Sequence, residues 1–559
     1  MTLNFLIKKD YFSRRLEYAV RIVAGRLGYP YKIISQSENI SKRDITITYF
    51  PEKNLEQIPM YSSINIFNSE QLTSLDESER VINLFESNDQ SIPVIGDRLE
   101  CGDLTGWRRT RNGIFYRKTK ANTWLIPLDI FLNVFYHFSR YEEKWRHFTE
   151  ETATDHSSSI LSRYQNLTLP AVDFLILHLD TVIRERIKQD KKIAIRVLPW
   201  PNGEDIGVAF THDVDITRGL PLKSRLVKTG KGYLHKILGK PYTLDHAKKE
   251  IHEKDEKSWN FPDLIDHYKK REWKATFFFI AKMMEGRHYR YNVFSKKFEK
   301  LFQRLIENDH EIALHPSKFS FDRPRYYREE KRKLKKASGV EIIGMRQHYL
   351  RAKFPRLWIF AERAALGYDS SLGYNYQAGF RAGTTHPFKT YDVFEDKPLS
   401  LTEFSLHLFE YNLPGSGEDI VQAKSAVSAL VNEVLKYNGL LVSLLHPSNF
   451  VHQPYKELWE YLENELLQHR IYVNTLAGHL KWLRSRERIT ITIKYDRKNI
   501  ADIDISVPGE HKSFSFELIG NLTPHPDRKY TLDSFKKGYY RLTTKANRVK
   551  LKVSISDQD

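Results

Sequence analysis

Ile-Gly-Val-Ala-Phe-Thr-His-Asp-Val-Asp, residues 206–215, is the stretch that indicates the fold of this chain. Its apolar run follows a Pro- and Gly-containing turn at 199–203 and predicts a buried strand that ends in two carboxylates. Because side chains alternate along a strand, Asp213 and Asp215 point to the same side. Two carboxylates so close repel each other unless a cation or a shared proton relieves the repulsion. The stretch therefore predicts either a metal or catalytic site, or an Asp-rich turn in which one carboxylate caps the next helix.

The same arrangement recurs further along the chain, where apolar runs predicted as strands end in polar side chains. These side chains are His315, Arg346, His348 and His446. Amphipathic helices alternate with the strands, which predicts an α/β fold with a parallel sheet, open or closed into a barrel. The carboxyl ends of parallel strands meet at one edge of the sheet, so the recurrence favours one shared site over coincidence.

The sequence divides into four predicted parts. Residues 1–120 alternate helix and strand signals and form an α/β module, and residues 121–200 form a helical connecting region. Residues 205–485 hold the strands with polar ends. Residues 487–559 alternate apolar and polar side chains with period two between turn residues, which predicts a small β-sandwich accessory domain.

Composition narrows the classes of function. The net charge is +18, but the basic residues are scattered among acidic ones, so specific nucleic-acid binding is not predicted, and contact with an anionic polymer or membrane surface stays open. Cys101 is the only cysteine, which excludes an internal disulfide and a multi-thiolate metal site. The sequence shows neither a signal-peptide pattern nor an apolar run of about 18 residues. We therefore expect a cytoplasmic protein without a transmembrane segment.

A divalent metal site is predicted from the ligand types at the strand ends. Asp215 and His315 are ligands suited to Zn²⁺ or a similar ion, and a catalytic site needs about three protein ligands with one position open for water. The third ligand is predicted to be His348, with His212 as the alternative. For each histidine a purely structural role in the core stays open.

The remaining side chains suit proton transfer beside such a metal. Asp213 would take the proton from the attacking water, and Arg346 would fix Asp213 by a bidentate pair. His446 would protonate the leaving amine or alcohol from the opposite side. This set predicts hydrolysis of an amide or an ester.

Segments that include these residues resemble the motifs of the NodB-type polysaccharide deacetylases, carbohydrate esterase family 4. They are Thr-His-Asp-Val-Asp at 211–215, Ala-Thr-Phe-Phe at 275–278, His-Glu-Ile-Ala-Leu-His-Pro-Ser at 310–317, Arg-Gln-His-Tyr at 346–349 and Leu-Leu-His at 444–446. The resemblance covers about residues 205–485, and the preceding region is similar to an uncharacterised domain found ahead of such deacetylase-like domains in bacteria. It implies a distorted (β/α) barrel, a divalent metal and removal of N- or O-acetyl groups from sugars.

The resemblance also implies roles, residue by residue. Asp213 matches the family's base, Asp215 its metal-binding Asp, and His315 its first metal His. Arg346 matches the Arg that orients the base, and His446 matches the acid.

Three positions depart from the family's pattern. The second metal His of the family lies four residues after the first, and that position is Phe319 here. Pro316 stands where Ser or Thr is usual, and His348 stands where the third motif has Pro. Either His348 rebuilds the metal site, or the metal is weakly held, or the domain has lost activity.

Our main hypothesis from the sequence is a metal-dependent deacetylase, most consistent with Zn²⁺, that acts on an acetylated sugar or polysaccharide precursor. The alternative is a non-catalytic glycan-binding or assembly protein on a degenerate deacetylase barrel, which Phe319 favours. The sequence does not separate a sugar substrate from a non-sugar amide, and it does not indicate the oligomeric state.

Overall fold

The computed structural model of the chain describes residues 1–7, 13–35, 40–50, 63–69, 72, 82–87, 90–95, 107–109, 115–118, 123–144, 159–163, 167–215, 217, 222–238, 244–249, 258–282, 291–415, 419–495, 500–507, 513–525, 527–536 and 539–555. Cys101 lies outside the described residues. Among the helices of the described residues, none is long and apolar enough to cross a bilayer.

The N-terminal part is built on a mostly parallel sheet. Its elements are β1 (Leu3–Leu6), α1 (Arg14–Leu27), β2 (Tyr31–Ile34), β3 (Ile45–Phe50), β4 (Ser63–Phe67), β5 (Ile82–Ser87), β6 (Gln90–Ile95), β7 (Trp107–Arg109), β8 (Phe115–Lys118) and β9 (Thr123–Ile126). The strand order is β2-β1-β3-β4-β9-β8-β7, parallel from β2 to β9 and antiparallel at β8 and β7, while β5 and β6 form a separate pair. Helix α1 begins after Ser13, whose hydroxyl accepts the Leu16 N–H, and ends at Gly28 in the left-handed conformation that favours glycine.

A helical layer connects this sheet to the central part. It comprises α2 (Ile130–Phe138), α3 (Ile160–Arg163) and α4 (Ala171–Gln189), followed by β10 (Ala194–Val197). Two residues after the end of α2, the buried Arg140 donates to Glu143 Oε1 through Nε at 2.9 Å and Nη2 at 2.7 Å. Nη2 of Arg381, from the central part, donates to both Glu143 oxygens at 2.9 and 3.0 Å. One carboxylate therefore joins the helical layer to the central part.

Replacing Glu143 by Gln is expected to destabilise the protein by about 3–5 kcal/mol, because it leaves two buried guanidinium groups with less compensating charge. Equilibrium unfolding in urea measures the loss. The matched control is Glu17→Gln, whose partner Arg21 is exposed and whose loss should cost less than about 1 kcal/mol. Equal losses in the free energy of unfolding for the two variants would show that the buried junction stabilises the protein no more than an exposed ion pair does.

His178 in α4 makes stability depend on pH. Its ring is fully buried, neither ring nitrogen has a hydrogen-bond partner among the described residues, and burial lowers its pKa to about 3. The unfolded chain takes up this proton near the ordinary pKa of 6.5, whereas the folded chain takes it up only near 3. Stability attributable to this residue therefore falls, by roughly 1.4 kcal/mol per pH unit, as the pH drops from 6.5 towards 3.

The variant His178→Leu, of similar volume, is expected to unfold with a shallower pH dependence over that window than the wild type. Urea unfolding at several pH values checks it. Parallel pH profiles of the two proteins would contradict the assignment of the acid sensitivity to this buried ring.

The central part carries the predicted alternation of strands and helices. Its strands are β11 (Ile206–Val214), β12 (Ala275–Phe279), β13 (Glu311–Leu314), β14 (Gly344–Met345), β15 (Tyr368–Asp369), β16 (Phe388–Asp392), β17 (Lys397–Glu403), β18 (Leu408–Phe409), β19 (Leu440–Leu444) and β20 (Ile471–Val473). Its helices are α5 (Leu222–Ile237), α6 (Phe261–Lys270), α7 (Lys296–Glu307), α8 (Pro324–Ser338), α9 (Arg356–Arg363), α10 (Ile420–Lys436), α11 (Tyr455–Leu467) and α12 (Leu476–Glu487).

These strands form one curled sheet in the order β16-β17-β15-β14-β13-β12-β11-β19-β18, with β20 also paired to β11. Every pairing is parallel except β16 with β17. The predicted mixed α/β fold with a parallel sheet is therefore confirmed. The predicted barrel is found only as a curled, open sheet in the part of the chain that the structure describes, because the β16 edge lies against α2, where Phe388 stacks on Phe138 at 4.3 Å.

Alternation along β11 sorts its side chains into two layers. Val208 and Phe210 belong to the core beneath the helices, whereas Ala209 belongs to the core on the inner side of the sheet. By the same period of two, Asp213 shares the inner side with Ala209, and His212 faces the helices. The odd-numbered side chains at the end of β11 therefore point to the inner side of the curled sheet.

The C-terminal part consists of two four-stranded antiparallel sheets. Its strands are β21 (Thr490–Tyr495), β22 (Ile500–Ser506), β23 (Phe514–Ile519), β24 (Leu522–Pro524), β25 (Tyr530–Lys536), β26 (Tyr539–Thr544) and β27 (Arg548–Ile555). One sheet runs β21-β22-β27-β24 and the other β10-β23-β26-β25. The edge strand β10 comes from residues that precede the central part, so the C-terminal sheets are completed by a segment some 300 residues away in sequence.

Candidate metal centre and active site

Polar side chains from four strand ends meet at the carboxyl edge of the curled sheet. Asp213 is the penultimate residue of β11, and His315 directly follows β13. Arg346 directly follows β14, and His446 comes two residues after β19. All four are buried or nearly so. The parallel pairing of these strands therefore brings together residues that are far apart in the sequence.

One of these side chains, His315, forms a cluster with Asp215 and His348 that has the geometry of a metal site. One ligand atom from each of Asp215, His315 and His348 lies within 4.8 Å of the others, and all three residues are buried. His315 Nε2 is 3.3 Å from Asp215 Oδ1, and His348 Nε2 is 3.4 Å from Asp215 Oδ2. The two imidazole nitrogens thus face the same carboxylate.

The hydrogen bonds around this cluster fit a cation. His315 Nδ1 is 2.6 Å from the Arg346 carbonyl oxygen, which holds a proton on Nδ1 and turns Nε2 towards Asp215. Asp215 Oδ1 accepts no hydrogen bond from the described residues despite its burial. One carboxylate and two imidazoles form the ligand set of catalytic zinc sites with an open position. The residues present therefore fit a divalent ion of the Zn²⁺ type.

The charges of the cluster are strongly coupled. Burial alone would raise the pKa of Asp215, but His348, His315 and His446 hold it well below its usual range. Burial lowers the pKa of His348. Asp215 is therefore ionised at neutral pH, and His348 favours the neutral form that binds metals.

Asp213 is held by a network centred on Arg346. Arg346 Nη1 donates to Asp213 Oδ1 at 3.1 Å and to Thr211 Oγ1 at 2.6 Å, while Nε and Nη2 donate to the Ser370 carbonyl and hydroxyl at 3.0 and 2.8 Å. The pair with Asp213 is a single bond rather than the bidentate pair predicted from the sequence, because the rest of the guanidinium is taken up by Ser370 and Thr211. Asp213 Oδ2 remains directed towards His315, 3.8 Å from its Nε2.

His446 faces the cluster from another side and is positioned by Glu410. Its Nε2 lies 3.5 Å from Asp215 Oδ2, and its Nδ1 lies 2.6 Å from Glu410 Oε1. Glu410 Oε1 also accepts the His446 N–H at 2.8 Å and the Asn449 amide at 2.9 Å. Burial would lower the pKa of His446, yet Glu410 and Asp215 raise it well above its ordinary value. The two carboxylates therefore favour the protonated form of His446.

Sequence analysis did not single out Glu410. The available signal was its position directly after the apolar pair Leu408–Phe409, the same strand-end pattern that drew attention to the other residues.

We expect Glu410→Gln to lower kcat by about 100-fold with metal content unchanged, because the orienting charge is lost and the ligands are not touched. Steady-state kinetics with metal analysis checks it, and a metal loss equal to the activity loss would assign Glu410 to metal binding instead.

His212, the alternative third ligand, lies outside the cluster. Its Nδ1 is 2.7 Å from the Leu445 carbonyl and its Nε2 is 2.8 Å from the Tyr268 hydroxyl, so both ring nitrogens are engaged in the helix-facing layer. Burial lowers its pKa to about 3. The alternation along β11 predicts this placement, because His212 and Asp213 are adjacent and must point to opposite sides of the sheet.

The loop after His315 is fixed without a second metal histidine. Glu330 in α8 accepts hydrogen bonds from the Ser317 N–H and hydroxyl, both at 2.8 Å, and from the Ser320 hydroxyl at 2.7 Å. Phe319 in this loop is half-buried and offers no ligand atom. His348 therefore provides the second imidazole of the cluster.

A cavity of about 490 Å³ opens onto these groups. Asp213, Asp215, His315 and His446 line its polar end. Its walls are mainly apolar and aromatic, and they include Tyr349, Leu350, Leu406, Phe409 and Tyr411. The volume suits a ligand the size of one or two sugar rings, and aromatic walls suit their apolar faces.

Tyr349 is held over the cluster by an uncommon backbone. It and Leu350 both have positive φ, 61° and 49°, a left-handed conformation that non-glycine residues rarely adopt. The Tyr349 ring stacks on the His348 ring at 4.1 Å, and its carbonyl accepts a hydrogen bond from Asn375 at 3.1 Å. Such strained residues concentrate at functional sites.

Comparison with known proteins gives partial matches. A family model described as a family of unknown function, DUF7033, matches residues 5–188. No curated protein matches the chain.

Several solved structures are similar to the chain at low identity. A protein described as a polysaccharide deacetylase from Mycobacterium smegmatis shares 18% identity, with 52% of this chain and 94% of that chain covered and a TM-score of 0.35. One so described from Pseudomonas aeruginosa PAO1 shares 12% identity over 52% of this chain and 94% of that chain, with a TM-score of 0.35. Agd3, described as a novel carbohydrate deacetylase, shares 6% identity over 99% of this chain and 98% of that chain, with a TM-score of 0.37.

Proposed function

We propose that the chain is a metal-dependent hydrolase that removes N- or O-acetyl groups from a sugar or polysaccharide precursor. The observation that carries the proposal is the cluster of Asp215, His315 and His348, flanked by Asp213 on one side and His446 on the other. The motifs that resemble NodB-type deacetylases support the acetyl substrate, and on the same grounds we assign the curled sheet to the distorted (β/α) barrel of that family.

The side chains divide the chemistry between them. Asp215, His315 and His348 would hold a divalent ion of the Zn²⁺ type, which would lower the pKa of bound water and polarise the acetyl carbonyl. Asp213 accepts a proton from the water as the water oxygen attacks the acetyl carbon, and Arg346 keeps Asp213 oriented through its hydrogen bond to Oδ1. His446 donates its proton to the leaving nitrogen or oxygen as the bond to the acetyl carbon breaks. The products are acetate and the free amine or hydroxyl of the sugar.

The apolar and aromatic cavity walls support a carbohydrate as the acetyl carrier. Tyr349 and Tyr411 are half-exposed at the cavity and offer ring faces together with hydroxyl groups. Phe319 supports the second candidate, a glycan-binding or assembly protein that no longer binds metal. The two candidates agree on the ligand class and differ in the metal.

Metal analysis combined with acetate release decides between them. The purified protein is loaded with Zn²⁺, dialysed, analysed for metal and assayed on N-acetylglucosamine oligomers and on O-acetylated xylan. Near-stoichiometric metal with acetate release that a chelator abolishes is the expected result. A protein that binds the oligomers but holds no metal after loading would overturn the hydrolase proposal in favour of the second candidate.

A further inference from the structure

Helix α5 presents its apolar side chains to solvent. Six large apolar residues in and directly after this helix are between 54% and 67% exposed, namely Leu226, Val227, Tyr233, Leu234, Ile237 and Leu238. A surface helix of a globular protein normally buries its apolar stripe against the core. A contiguous exposed apolar surface of this kind marks an interaction site rather than ordinary surface composition.

The exposed residues form one stripe on the helix. At about 100° per residue, Leu226, Tyr233 and Ile237 fall within about 40° of one another, and Val227 and Leu234 extend the stripe to about 120°. Gly232 is buried and lies roughly opposite the centre of this stripe. The helix therefore turns its apolar side towards solvent.

The charge of the segment is entirely positive. Residues 222–238 contain four lysines, one arginine and no acidic residue. Lys231 and Lys236 are exposed and lie just beyond the two borders of the apolar stripe. An apolar stripe bordered by lysines is typical of helices that lie in the interface of an anionic membrane, where the lysine stems extend towards the headgroups.

We propose that α5 docks the protein onto an anionic lipid surface, with the stripe of Leu226, Tyr233, Leu234 and Ile237 inserted at the headgroup boundary. Charge favours lipid over a second copy of this chain, because two copies of a segment without acidic residues repel each other. Leu222 follows Asp215 by seven residues, a span of at most about 25 Å. Docking would therefore hold the cavity near the membrane. The proposal rests on α5 alone and does not depend on the hydrolase proposal.

Vesicle flotation with the full chain tests this docking. The vesicles contain phosphatidylcholine alone or phosphatidylcholine and phosphatidylglycerol in equal parts. We expect the wild type to float with the anionic vesicles and to remain unbound with the neutral ones. The double variant Leu234→Ser/Ile237→Ser and the double variant Lys231→Gln/Lys236→Gln should each bind the anionic vesicles about tenfold more weakly or worse.

Leu467→Ser is the matched control, because Leu467 is 54% exposed on another helix, α11. It should bind the anionic vesicles as the wild type does, and thermal unfolding of every variant should stay close to the wild type because the changed side chains are exposed. Equal binding to neutral vesicles, or no binding to either kind, would overturn the proposal. A concentration-dependent dimer in analytical ultracentrifugation that Leu234→Ser/Ile237→Ser disrupts, without vesicle binding, would assign the stripe to self-association instead.

Discussion

Replacing Asp213 by Asn is expected to lower acetate release by about 1,000-fold while the protein keeps its metal, since general base catalysis contributes about 100- to 10,000-fold. The amide has nearly the shape of the carboxylate and still accepts a hydrogen bond from Arg346, but it does not take a proton from water. Asp213 is not among the three clustered ligands, so its loss should leave metal content intact.

The measurement pairs steady-state kinetics with metal analysis of the same preparations. Asp266→Asn serves as the control, because Asp266 is an exposed aspartate of α6 that does not line the cavity. We expect it to retain the wild-type rate. A variant Asp213→Asn that keeps its metal and works within a few-fold of the wild type would refute the role of Asp213 as base.

The second large effect is expected for His348→Ala, which should reduce metal affinity by more than about 100-fold and abolish acetate release. Losing a direct ligand costs more than losing an outer hydrogen-bond partner of a ligand, which typically costs about 10- to 100-fold. His315→Ala should behave in the same way, because both imidazoles face Asp215 at 3.3 to 3.4 Å.

Metal titration followed by a competing chelator gives the affinities. His469→Ala is the control, since His469 is exposed and removed from the cluster. If His315→Ala loses the metal and His348→Ala retains it, the third ligand is not His348, and the departure at Phe319 is not compensated in the way we propose.

The expectations about the fold that rest on short-range patterns agree with the structure. The apolar runs at 206–210, 275–279 and 440–444 lie in parallel neighbouring strands. Hydrophobic period and turn residues act within a few positions, so a sequence displays them directly. Closure of the sheet depends on what covers its edges, and no local pattern reports that α2 lies against β16.

The strand β10 illustrates the same limit at the C-terminal end. Residues 194–197 carry a strand-like pattern, but their partner is β23, over 300 residues later. Pairing between distant strands is decided by the packing of whole layers, which the residues of one strand do not encode by themselves. The domain boundaries drawn from the sequence stay predictions.

The sequence by itself determined which kinds of side chain stand at the strand ends, because the strand period and the apolar runs place Asp213, Asp215, His315 and His446 there. Only the tertiary structure decided which imidazole joins Asp215 and His315. His348 lies in the turn after β14, beyond any strand period, and the Tyr349 ring stacks on its ring there. The tertiary structure likewise decided that Glu410 orients His446, since their contact joins two strand ends 36 residues apart. Local patterns fix the direction of a side chain, and only packing fixes its partners.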